Sequence, residues 1–110
     1  MEREMTNKNN EKQKEALREL KEMIKENETI YTILREVSRS GMRRKLSVLI
    51  VRDNRIENIT YLVANALDYK LNEDGHLIID GTGFDVGEYV VYQLSLKLFG
   101  NGYKLKHKWL

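Results

Sequence analysis

Leu46-Ser47-Val48-Leu49-Ile50-Val51 is apolar on both sides of an extended chain, with Leu46, Val48 and Ile50 facing one way and Leu49 and Val51 the other. A run with two dry faces suits the central strand of a small sheet. Asp53-Asn54 follows as a tight reversal into Arg55 to Ile59, so residues 45–59 read as a hairpin. On the other side of a turn at Ser38-Arg39-Ser40-Gly41-Met42, the β-branched and aromatic stretch from Thr29 to Ser38 reads as a further strand.

Beyond the hairpin, Thr60 stands where a helix cap is expected. Ile59, Leu62, Val63, Ala66 and Leu67 recur at helical spacing and end before the turn Asn72-Glu73-Asp74-Gly75. Leu77-Ile78-Ile79 is a short strand, Asp85 to Phe99 a second helix with Gly100 as its stop, and Tyr103 to Trp109 a last alternating strand. In that strand Tyr103, Leu105, His107 and Trp109 point one way and three lysines the other. The order β-β-β-α-β-α-β predicts an α+β domain: a small, mostly antiparallel sheet with two packed helices.

Residues 29–110 form this compact domain, and residues 1–28 precede it as a charged N-terminal helix. Its narrow stripe of Ala16, Leu17, Leu20, Met23 and Ile24 needs cover, from the domain, a second copy of the chain in a homodimer, or a partner's groove.

With 110 residues and no cysteine, the chain is sized for one domain and offers no disulfide, thiolate metal site or cysteine nucleophile. The first residues lack the apolar core of a signal peptide, and no apolar run approaches a membrane span, so a cytoplasmic protein with no membrane partner is expected.

Charge is local. Residues 35–45 carry net +4, from Arg35, Arg39, Arg43, Arg44 and Lys45 against Glu36, and residues 103–110 carry +3 from Lys104, Lys106 and Lys108, although the whole chain has only +2. Two such segments favour phosphate or an acidic protein surface. Ser38 and Ser40 add hydroxyls among guanidinium forks, which recognise phosphate and carboxylate in bidentate fashion. The same arginines also read as solvated charge on a turn, and alternating lysines as protection of an edge strand.

Gly81-Thr82-Gly83 joins a strand to a helix and offers backbone N–H groups to an anion, but it lacks the spacing of a phosphate loop or dinucleotide fingerprint. Asp85 beside it favours the helix dipole and opposes a phosphate. His76 and His107 lack a metal-ligand spacing, and Asp80 with Asp85 has no accompanying nucleophile. No enzyme, metal or cofactor is expected.

The segments Val37-Ser38-Arg39-Ser40-Gly41-Met42-Arg43-Arg44, Gly81-Thr82-Gly83-Phe84-Asp85-Val86-Gly87 and Leu98 to Trp109, ending Gly102-Tyr103-Lys104-Leu105-Lys106-His107-Lys108-Trp109, resemble a small protein family of bacteriophages, prophages and other mobile elements. The resemblance spans Thr29 to Leu110 and carries no catalytic residue set over to this chain. It implies a counter-defence protein in the bacterial host cell that acts by stoichiometric binding, as an inhibitor of a defence nuclease such as a CRISPR effector. Arg39, Arg43, Arg44, Lys104, Lys106 and Lys108 would meet the target.

Two alternatives stand beside it. One is a sponge for a phosphorylated nucleotide signal, held between Ser38–Ser40, Gly81–Gly83 and the last strand, with Tyr31, Phe84, Tyr103 or Trp109 as stacking faces. The other is direct nucleic-acid binding through local basicity.

Overall fold

The computed structural model describes residues 2–110, with side chains described from Asn10 onward. In chain order it contains α1 (Glu2–Met23), β1 (Thr29–Val37), β2 (Arg43–Arg52), β3 (Arg55–Asn58), α2 (Thr60–Leu67), β4 (Lys70–Leu71), β5 (Leu77–Asp80), α3 (Val86–Phe99) and β6 (Lys106–Trp109). The fold is α+β. Four of the five strand pairings are antiparallel, and the β1–β6 pairing is parallel.

The apolar run is indeed central, because β2 is paired on both edges. β1 runs along one of them; the other is divided between β5, opposite Arg43–Leu46, and β3, opposite Leu49–Arg52. The Asp53-Asn54 reversal has both residues at positive φ (50° and 63°), the twist that a two-residue hairpin needs.

Between β5 and β3 the backbone of Val48 has no strand opposite. Its carbonyl accepts from the Ile59 N–H (2.9 Å), and its N–H donates to Thr60 Oγ1 (2.8 Å). This corrects the expected capping role of Thr60. Its hydroxyl ties α2 to the sheet, while Asn58 Oδ1 accepts from the Thr60 N–H (2.9 Å) at the helix entrance.

All three helices cover one face of the sheet. Leu46, Val48 and Ile50 pack there with Ile30, Leu77 and Ile79 beneath Val63, Ala66, Val90 and Leu94. Ala16, Leu20 and Ile24 of the first helix and its exit join this same core at spacings of four, and Gln13 Nε2 donates to the Ala66 carbonyl (2.9 Å). Each fully buried Leu or Ile contributes roughly 1.5–3 kcal/mol. The stripe is therefore covered by its own chain.

Two elements differ from expectation. β4 is a strand of two residues, too short for any periodicity to show, and it follows Asp68, whose left-handed backbone (φ 58°) ends α2. Regular pairing of the last strand begins at Lys106, not Tyr103, because residues 101–105 are held against α3 instead.

Candidate binding surface

The serines of the basic turn are engaged within it. Ser38 Oγ accepts from the Arg43 N–H (3.0 Å) and shares a hydrogen bond with Ser40 Oγ (3.1 Å), which also accepts from the Met42 N–H (3.3 Å). Arg39 stands exposed at the tip.

Arg43 and Arg44 then diverge, as neighbours on a strand must. Arg43 pairs through Nε with Asp80 Oδ1 (3.0 Å) on the side away from the helices. Arg44 turns under the helices, where its terminal nitrogens donate to the carbonyls of Gly81 and Phe84 and its guanidinium lies 5.1 Å from the Phe84 ring centroid.

The basic turn and the glycine turn are thus neighbours, joined further by the Gly81 N–H donating to the Met42 carbonyl (2.7 Å). Thr82 and Gly83 are exposed beyond this clamp. The α3 N-terminus is occupied by its own carboxylate: Asp85 Oδ1 accepts from the Glu88 N–H (3.1 Å) and Oδ2 from the Trp109 indole N–H (3.1 Å). Burial pushes the Asp85 carboxyl up, but these donors and nearby His107 outweigh it and hold the group below its ordinary range.

The C-terminal lysines lie elsewhere. β6 is separated from β2 by β1 and pairs only with its first half, Thr29 opposite Lys106 and Thr32 opposite Trp109. Lys104 sits still further away along this edge, beside Glu26 (3.8 Å). Ser38–Arg44 and Gly81–Gly83 come together; Lys104, Lys106 and Lys108 do not join them in a pocket.

Strand alternation places Lys106 and Lys108 on the sheet face that the helices leave open, in line with Thr29 and Tyr31. Tyr31, Ile33, Leu49, Val51, Ile56 and Ile78 form the apolar middle of this face. Leu49 is only 4% exposed yet lies outside the main core, covered on this face, whereas Val51 (43%) and Ile56 (65%) stand open to solvent.

Around them stand Arg35, Arg43, Lys45, Lys70, Lys106 and Lys108, against the carboxylates Glu36 and Asp80. Lys45 Nζ pairs with Glu36 (2.8 Å), and its hydrogen bond and charge hold that carboxyl below its usual range. Arg35 Nε donates to Ser47 Oγ (3.0 Å). Arg35 and Lys45 were visible in the sequence as basic residues but not as members of this face; that required the β1–β2 register, with its irregularity between Leu34 and Glu36. Lys70 had no signal, since β4 itself had none.

No protein-family model, curated protein or solved structure matches this chain. What the surface can do is therefore argued from its chemistry: an aliphatic centre with a cationic rim offers burial to an apolar partner surface and attraction to carboxylates or phosphates.

The histidine beneath α3 has an architectural place. His107 Nε2 and Thr32 Oγ1 share a hydrogen bond (2.6 Å), and a Cβ on Gly87 would fall 2.5 Å from Thr32 Oγ1 and 2.6 Å from His107 Nε2. Thr32 is sealed from solvent. Burial lowers the His107 pKa, with partial opposition from Asp85 and Glu88. Among the described residues, no three His, Cys, Asp or Glu side chains gather as a metal site.

Proposed function

We propose that this protein is a non-catalytic binding protein whose open sheet face docks an acidic protein surface. The carrying observation is the pairing of an aliphatic centre, around Ile33, Leu49 and Val51, with the cations Arg35, Lys106 and Lys108 on the same face. Two copies placed face to face would oppose like charge, so self-association through this surface is disfavoured. Single-stranded nucleic acid would call for stacking platforms, and Tyr31 is the one aromatic side chain on this face among the described residues. The counter-defence role, with a host defence nuclease as the acidic target, rests on the motif resemblance.

The test uses Lys106→Glu/Lys108→Glu. Reversing Arg44 would release the glycine turn and confuse folding with binding. The full chain and this variant are used as baits in a bacterial lysate, and the captured protein is purified and titrated back against both. Tight, salt-sensitive binding that the reversal weakens at least about tenfold supports the reading, each close charge contact being worth a factor of that order. Equal affinity of the two baits removes the face from the interaction, and recovery of nucleic acid in place of protein reassigns it to phosphate.

A further inference from the structure

On the helical side of the molecule, a groove of about 270 Å³ runs between α3 and residues 102–107. Its chemistry is opposite to that of the open face. Tyr92 and Tyr103 stand nearly perpendicular (72°, centroids 5.4 Å apart), Val91 and Leu105 supply an apolar floor, and Glu88 lies one helical turn before Tyr92. His107, whose pKa burial lowers, also lines it, and among the described residues neither lysine nor arginine does.

The walls are fixed by an anchor beneath them. Ser95, fully buried, accepts through Oγ from the N–H groups of Lys104 (2.8 Å) and Leu105 (3.1 Å) and donates to the Asn101 carbonyl (2.6 Å). Asn101 Oδ1 in turn accepts from the Tyr103 N–H (2.8 Å). Gly102 lets the Tyr92 ring lie on the backbone where a Cβ would overlap it. The loop is thereby pinned to α3 while Tyr103 stays 84% exposed, an aromatic surface in water on the same groove as Glu88.

We propose that this cleft binds an alkylated ammonium cation. Exposed tyrosine π surface attracts a diffuse positive charge, the carboxylate adds a Coulombic partner, and the apolar floor accepts methyl groups that a hydrated metal ion or bare ammonium would not present. Because the backbone that carries Tyr103 is already fixed by Ser95 and Asn101, little backbone ordering opposes binding. A small quaternary amine and a methylated lysine of a protein share this chemistry.

The full chain is titrated with tetramethylammonium chloride, choline chloride and a trimethyl-lysine peptide against sodium chloride at constant ionic strength, with the ring resonances of Tyr92 and Tyr103 as the readout. Saturable shifts are expected with the alkylated cations, and Tyr103→Ala and Glu88→Gln should each weaken them about two- to fivefold, as exposed contacts do. Both positions are exposed, so circular dichroism should show both variants folded. Tighter binding of the peptide identifies a protein source, and tighter binding of choline a small molecule. A linear response equal to that of sodium chloride, or wild-type affinity in both variants, overturns the proposal.

Discussion

A Cβ on Gly87 would overlap Thr32 and His107, so the missing side chain is what lets these two meet below α3. Gly87→Ala should therefore cost about 1–3 kcal/mol by overpacking, read as a lower urea midpoint with an unchanged slope. The same contact makes stability pH-dependent. Burial holds His107 below its ordinary 6.5, so on acidification the unfolded chain takes the proton first. Stability is full above 6.5 and falls as pH drops through the lower folded value; Glu36 and Asp85, held below 4.5 and 3.8, add a second loss further down. Denaturant midpoints across the acidic range should show both steps, and His107→Gln should lack the upper one. At this scale the sequence was partly legible. Asp85 was readable as a favourable charge at a helix start, and Gly100 as a stop, because both act within one turn of the chain. The engagement of Arg44 with carbonyls nearly forty residues away was not, since nothing local distinguishes it from Arg43.

Helices and strands were more legible than their partners. Hydrophobic period revealed β1, β2, the hairpin into β3, α2, β5 and α3, whereas β4 was too short to have a period and the parallel sense of β6 is set by docking, not by alternation. Arg44 acts at this scale as the clamp between β2 and the turn before α3. Arg44→Met keeps the stem but loses the donors to Gly81 and Phe84, so hydrogen exchange should quicken around residues 81–84; unchanged exchange would show that the turn holds itself. The first helix offers a sharper test. Leu20 has no exposed surface and sits in the common core, so Leu20→Ala should cost about 2–5 kcal/mol and lower the midpoint of one cooperative transition. Loss of α1 signal in a separate, earlier step would instead make the helix an independent appendage.

Across the whole molecule, the sheet separates two chemistries: cations around an aliphatic surface on the open side, and a carboxylate beside perpendicular tyrosines on the helical side. Composition announced the cations but not this division, because assignment to a face depends on register and on which side the helices choose. A consequence for physical behaviour is that salt should weaken partner binding at the open face far more than it weakens the fold, whose core is aliphatic. Binding and thermal unfolding measured over one salt series should separate accordingly, and parallel losses would tie the rim charges to folding. The irregularity between Leu34 and Glu36 bears on solubility. Among the described residues, β6 covers β1 only as far as Thr32, leaving the outer edge from Ile33 to Val37 without a neighbouring strand. A straight, apolar edge there would template the backbone of another molecule and seed fibrils. By bending the strand and placing Arg35 at the bend, the bulge denies polymerising chains a flat starting surface.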